Sequence, residues 1–164
     1  MKKIGVISDT HGDILAIDRC IEKAPDVDMW FHLGDLVPDA ETLETRSGKP
    51  VYAVKGNCDL GFPVPKKQAK SETVITVEDT KIFLIHGHLY GVGDHSPMRA
   101  VYRAEELSCG VLLYGHTHVS EVDKYGPLLI VNPGSPSRPR QGRKPSFALL
   151  TVDGSNAGAR IVTL

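Results

Sequence analysis

The chain has 164 residues, with 19 Lys and Arg against 20 Asp and Glu, a net charge of −1 and 41% hydrophobic residues. A single domain covering residues 1–164 is expected, large enough to bury about 70% of its unfolded surface. The composition excludes a disordered chain, and without a global positive field it argues against a nucleic-acid or membrane binder that works by charge alone. Apolar runs at 4–7, 82–85 and 128–131 fall far short of the roughly 18 residues that a membrane span needs. The opening Met1-Lys2-Lys3 and its apolar run imitate a signal peptide, but Ser8-Asp9 break the run early, so a cytoplasmic protein is expected. Cys20, Cys58 and Cys109 are odd in number and lack CxxC spacing, which fits reduced thiols and neither a disulfide framework nor a thiolate zinc site.

In chain order, residues 3–7 read as a strand, and Asp13 caps a helix that places Ile14, Ile17, Ile21 and Ala24 on one face before Pro25 stops it. Residues 29–33 form a second strand, 39–46 a short helix with Gly48 beyond its end, and 51–54 a third strand. This βαβαβ order predicts a parallel sheet. Residues 73–77 and 81–85 read as an antiparallel pair joined by the three-residue connection Glu78-Asp79-Thr80. Ser96 and Pro97 suit the N-cap and first position of a helix running to about Ser108, with Gly110 before a strand at 111–114. The tail is all β, with strands at 128–131, 147–152 and 160–164 separated by Gly126-Pro127, Pro133-Gly134 and Asp153-Gly154.

The informative residues stand immediately after the apolar runs. The first run leads into Ser8-Asp9-Thr10-His11-Gly12, the second into Gly34-Asp35 and the third into Gly56-Asn57-Cys58-Asp59. Later runs lead into His86-Gly87-His88 and Gly115-His116-Thr117-His118. In an α/β sheet the carboxyl ends of the strands form the ligand crevice, so these groups are expected to converge. Asp9 with His11, and His116 with His118, are two apart, and in extended chain each pair projects to one side.

Asp, Asn and imidazole without thiolate suit Mn, Fe, Zn or Ni and are too nitrogen-rich for a calcium or magnesium cage. The candidates Asp9, His11, Asp35, Asn57, His86, His116 and His118 exceed the about four to six ligands one ion takes, so two divalent ions are expected, manganese first. Such a site stays positive after the charges of Asp9 and Asp35 are counted, and attracts phosphate.

These motifs, Asp9-x-His11, Gly34-Asp35, Gly56-Asn57, His86 and Gly115-His116-x-His118, resemble in order the full set of the calcineurin-like metallophosphoesterases. The Gly56-Asn57-Cys58-Asp59 variant, His86-Gly87-His88 and Asn132-Pro133-Gly134-Ser135 are most similar to the small YfcE-type bacterial and archaeal phosphodiesterases. The resemblance covers nearly the whole chain. It implies an α/β fold of two packed mixed β-sheets flanked by helices. It further implies one metal held by Asp9, His11, Asp35 and His118 and another by Asp35, Asn57, His86 and His116, with Asp35 bridging. The implied reaction is phosphodiester hydrolysis by in-line attack of a hydroxide shared by the two ions. Many relatives carry His as general acid where this chain has Cys58, which puts that role in doubt.

Other residues carry weaker expectations. His32 reads as a buried supporting histidine and His95 as a loop residue, while Asp59 is a candidate catalytic residue that hydrogen-bonds a metal ligand or a substrate-side group, with a turn residue as the alternative. His88 and Asn57 are candidates for touching substrate, and Arg138 or Arg140, in a loop with Arg143 and Lys144, for forking onto a phosphate. Lys66, Lys67 and Lys70 read as exposed surface. Aromatic residues at 6% and a near-zero net charge weaken a nuclease reading and favour a small, nucleotide-scale phosphoester. The alternatives are a phosphomonoesterase or a nuclease, or a non-catalytic scaffold that keeps the fold. No membrane contact is expected, and a homo-oligomer is left open.

Overall fold

The computed structural model describes residues 1–59, 69–93 and 96–164; Lys66, Lys67 and His95 lie outside them. Among the described residues, ten strands and three helices follow in the order β1 (Lys2–Ile7), α1 (Ile14–Lys23), β2 (Met29–His32), α2 (Pro38–Ser47), β3 (Val51–Ala53), β4 (Glu72–Val77), β5 (Thr80–Ile85), α3 (Met98–Glu106), β6 (Val111–Leu113), β7 (Glu121–Tyr125), β8 (Leu128–Asn132), β9 (Ser146–Asp153) and β10 (Asn156–Thr163). They build two five-stranded sheets, ordered β10-β9-β1-β2-β3 and β4-β5-β6-β8-β7. Within the first, β1, β2 and β3 are parallel. Within the second, β5, β6 and β8 are parallel and the edges β4 and β7 run against them.

Alternation along the strands makes four layers. Ile4, Val6, Phe31 and Leu33 from one sheet meet Ile82, Leu84, Leu113 and Val131 from the other in the central core. The opposite face of the first sheet carries Trp30 and Phe147 against Ile17, Cys20 and Leu43 of α1 and α2. The opposite face of the second carries Phe83, Leu112 and Ile130 against Ala100, Val101 and Ala104 of α3. This is the expected two-sheet sandwich, and it points the carboxyl ends of six parallel strands toward one edge.

Several details differ from the sequence reading. Asp13 caps α1 by accepting from the Ala16 N–H (3.0 Å), but Ile14 is 47% exposed, and the buried stripe begins at Ala16. The β4–β5 turn has two residues, because Val77 pairs with Thr80 and Glu78 takes φ 51°. Helix α3 starts at Met98, with Pro97 as a cap that makes no side-chain hydrogen bond. It ends before Ser108, which adopts φ 55°. Strand β7 was not anticipated: every residue of Glu121–Tyr125 is exposed on the sheet edge, so no apolar alternation marks it. Strand β10 begins at Asn156 rather than 160, because pairing with β9 overrides the poor strand propensity of Asn156-Ala157-Gly158-Ala159.

Candidate metal centre

The loops that follow β1, β2, β3, β5 and β6 meet at that edge. The Asp9 N–H donates to the Gly34 carbonyl (3.1 Å), the Gly115 N–H to the His86 carbonyl (2.9 Å), and the His116 N–H to Asp9 Oδ2 (3.0 Å) across the two sheets. The side chains do not converge through extended chain, as the i, i+2 spacing suggested. Asp9, His11, Asp35, His116 and His118 all have positive φ, between 49° and 68°. Asp and His enter this region more readily than most residues, but such strain persists only where the surroundings enforce it, and it clusters at functional sites.

Gly34, Gly56 and Gly115 clear space for this approach. A Cβ on Gly56 would lie 2.2 Å from Asp35 Oδ1, and one on Gly115 would lie 2.0 Å from Ser8 Oγ and 2.9 Å from Asp9 Oδ2.

Asp9, His11, Asp35 and His118 each present one ligand atom within 4.8 Å of the others. His118 Nε2 lies 3.2 Å from Asp9 Oδ1 and 3.4 Å from His11 Nε2, and His11 Nε2 lies 4.0 Å from Asp35 Oδ2. Beside them, His86 Nε2 stands 3.4 Å from Asp35 Oδ1, 3.1 Å from Asn57 Oδ1 and 3.9 Å from Asp9 Oδ1. The His116 ring packs 5.1 Å from that of His86.

The donor chemistry fits divalent cations. His118 Nδ1 contacts the Arg138 carbonyl (2.6 Å) and His86 Nδ1 the Leu33 carbonyl (2.7 Å). A carbonyl only accepts, so both Nδ1 atoms carry a proton, and the neutral tautomer that this selects, the form in which imidazole binds a metal, turns its Nε2 lone pair inward. Those lone pairs face carboxylate and amide oxygens, and Asp9 Oδ1 is buried with no hydrogen-bond donor among the described residues. With the rings neutral, these acceptors repel one another unless a cation lies among them, whether a metal ion or, in the metal-free chain, the proton that Asp9 favours on His118.

Supporting residues fix this arrangement from behind. Asp59 is buried, and its carboxylate accepts four backbone N–H groups: Oδ1 from Leu36 (3.0 Å) and Val37 (2.7 Å), Oδ2 from Asp35 (3.1 Å) and Gly56 (2.7 Å). Asp59 is therefore a positioning residue behind the cluster. His32 is fully buried and accepts from the Gly34 N–H through Nδ1 (3.3 Å), so its Nε2–H donates to Thr10 Oγ1 (3.0 Å). The Thr10 hydroxyl in turn donates to Asp39, which also accepts from the Gly12 N–H (2.8 Å). Asn132 donates to the Gly115 carbonyl (3.0 Å) and Thr117 Oγ1 (2.9 Å), and the Ser135 hydroxyl to the Asp9 carbonyl (2.8 Å). The sequence reading assigned no role to Thr10, Asp39 or the Asn132 side chain. Asn132 ends β8 and Thr10 lies just beyond β1, where a polar residue is a signal, but Asp39 sits in the first turn of α2 with nothing local to mark its role.

Cys58 is exposed, and its N–H donates to Asp35 Oδ1 (2.9 Å). Partial burial, and then the neighbouring Asp35 carboxylate, push its thiol up to about 11. The His88 ring stands 5.3 Å from His86 and 6.1 Å from His116, with a buried Nδ1 that has no hydrogen-bond partner among the described residues. Lys70 is exposed, as are the side chains of Arg138 and Arg140. Burial holds His11 and His116 below the ordinary imidazole value. Burial acts the same way on His118, but the Asp9 carboxylate outweighs it and leaves that imidazole raised. Asp9 is lowered overall: its burial opposes ionisation, and His118 and His86 more than offset it.

The chain is similar to the probable metallophosphoesterase YsnB of Bacillus subtilis, with 36% identity over 94% of this chain and 87% of that protein. It is similar to the phosphodiesterase YfcE of Escherichia coli, with 32% identity over 93% of this chain and 89% of that one. Among solved structures, a Streptococcus pneumoniae protein described as a predicted phosphoesterase superposes with TM-score 0.80 at 32% identity, covering 99% of this chain and 89% of its own. Residues 1–155 match the calcineurin-like phosphoesterase superfamily domain. A two-sheet sandwich whose strand ends carry this Asp, Asn and His cluster thus belongs to the calcineurin-like phosphoesterase superfamily.

Proposed function

We propose that this chain hydrolyses phosphodiesters with two divalent metal ions, manganese first and iron, nickel or zinc as the alternatives. Asp9, His11, Asp35 and His118 would hold one ion, and Asp35, Asn57, His86 and His116 the other, with Asp35 shared. The observation that carries this reading is the convergence of His Nε2 atoms, carboxylate oxygens and the Asn57 amide oxygen within a few ångströms of one another. Family membership and the similarity to a protein named a phosphodiesterase support it.

Bound divalent ions supply Lewis-acid stabilisation of phosphoryl oxygens and lower the pKa of water toward neutrality. The chain's own contribution is positional. The Arg138 and Leu33 carbonyls set the tautomers of His118 and His86, and Asp59 holds the Asp35 backbone. Cys58, with its thiol raised to about 11, is poorly matched to protonate a leaving oxygen at neutral pH. Esters whose leaving group departs unaided, such as aryl diesters, are therefore the favoured substrates. The intact donor set counts against a non-catalytic scaffold, and the net charge of −1 against a nuclease. The three free cysteines support a reducing cytoplasm as the working compartment, with residues 1–164 acting as one domain.

The test is a matrix of Mn²⁺, Fe²⁺, Ni²⁺, Zn²⁺ and Mg²⁺ against aryl diesters, aryl monoesters and oligonucleotides, on chelator-stripped protein. Turnover of aryl diesters that depends on added metal is expected. Monoester turnover exceeding diester turnover with every metal, or no turnover at all, overturns the reading.

A further inference from the structure

The segment after β8 carries Arg138, Arg140, Arg143 and Lys144, and the main chain of the first two is tied into the frame of the centre. The Arg138 carbonyl accepts from His118 Nδ1 (2.6 Å), and its N–H donates to Ser135 Oγ (2.8 Å), whose hydroxyl donates to the Asp9 carbonyl (2.8 Å). The Arg140 N–H donates to the His118 carbonyl (3.2 Å). Ser137, next to Arg138, donates to the Thr10 carbonyl (2.9 Å). Pro139 fixes its own φ and keeps Arg138 out of the helical region, so both arginine backbones are held against the loops that carry Asp9, His11 and His118.

The two side chains are treated very differently from their backbones. Both are exposed, and among the described residues neither has a carboxylate partner, although the chain contains 20 Asp and Glu. By contrast, Arg46 and Arg103 are paired with Asp18 and with Glu72 and Glu106. Two guanidinium groups without carboxylate partners, carried on main chain tied to the loops of a cation site, are placed to take an anion that reaches that site.

We propose that Arg138 and Arg140 form a second anion subsite that takes a phosphate group of the substrate other than the one being cleaved. The preferred substrates are then phosphodiesters bearing an additional phosphate monoester, such as phosphorylated nucleotide esters. Charge decides between anions: a phosphate monoester carries about −1.5 to −2 and matches two guanidinium groups, whereas a carboxylate matches one. Guanidinium forks also present paired donors to phosphate oxygens in a way that lysine does not. This inference rests on the phosphodiesterase reading and narrows its substrate class.

The test uses two substrates with the same scissile bond and leaving group: thymidine 5′-(4-nitrophenyl phosphate) and its 3′-phosphorylated counterpart, both with Mn²⁺-loaded protein. Wild type is expected to favour the 3′-phosphorylated ester by about tenfold or more in kcat/KM, mostly through KM, as charge-assisted hydrogen bonds to a phosphate require. In Arg138→Gln/Arg140→Gln, whose main-chain hydrogen bonds are retained, that ratio should fall toward one, and Arg138→Lys/Arg140→Lys should restore part of it. A wild-type ratio near one with clear turnover of both esters overturns the subsite and leaves the phosphodiesterase reading standing. If neither ester turns over, the phosphodiesterase reading fails. Calorimetric binding of thymidine 3′,5′-bisphosphate against thymidine 5′-phosphate then decides the subsite: tighter bisphosphate binding that the Gln variant loses supports it, and equal binding overturns it.

Discussion

Replacing Asp59 by Asn keeps the shape of the side chain and removes half of its acceptors. In the native protein each carboxylate oxygen receives two backbone N–H groups, from Leu36 and Val37 on one side and from Asp35 and Gly56 on the other. An asparagine carbonyl can serve one pair only, and its NH₂ group then faces the two donors of the other pair. With Asp59 8% exposed, water is poorly placed to relieve them. Leaving a buried N–H unsatisfied costs about 1–3 kcal/mol, so Asp59→Asn should lose about 2–6 kcal/mol, a large share of the roughly 5–15 kcal/mol that holds a domain together. The loss should be larger than for an exposed carboxylate such as Asp26, and it should loosen Asp35, whose left-handed backbone (φ 58°) depends on that grip. Urea unfolding of chelator-stripped protein measures the stability, and the rise in melting temperature on adding Mn²⁺ measures the ligand set. A variant within about 0.5 kcal/mol of wild type, with an unchanged Mn²⁺ response, would refute the reasoning.

Chelation should lower the melting temperature and restored Mn²⁺ should raise it, because ions that bind only the folded chain stabilise it; a melting temperature indifferent to metal would contradict this. Asp35→Ala should reduce binding at both metal positions, and His118→Ala mainly at one; elemental analysis of the two variants separates these outcomes. Cys58→Ala should cost far less than the about 10²- to 10⁴-fold typical of losing a general acid, and kcat across diesters of graded leaving-group pKa checks it. A wild-type dependence that is shallow and steepens strongly in Cys58→Ala would identify Cys58 as the acid. Burial holds His32 below the ordinary value of 6.5, as it does His11, His88 and His116. The unfolded chain therefore takes up protons first. Metal-free protein should be most stable above pH 6.5 and lose stability as pH falls below it, with His118 alone among these imidazoles pulling the other way. Urea midpoints that rise between pH 7 and pH 5 would contradict that sign.

The central elements were legible because burial on one or both faces writes itself into the sequence as apolar runs, and five such runs lead into the residues that meet at the site. What escaped was set by pairing or by backbone conformation. Strand β7 has no buried residue to mark it, and the first half of β10 is held by its hydrogen bonds to β9 rather than by its own composition. The polar identities of Asp9, His11, Asp35, His116 and His118 were plain, but the left-handed turns that bring them together leave no period to read. The roles of Thr10, Asp39 and Asp59 depend on which distant side chains and backbone donors fold against them, so spacing along the chain could not assign them.

The most direct test of the account is a Mn²⁺ titration of chelator-stripped protein that tracks bound metal and aryl diester turnover in the same samples. Two ions bound per chain are expected, with turnover appearing as the second is taken up. Full turnover with one ion bound, or with none, would contradict it.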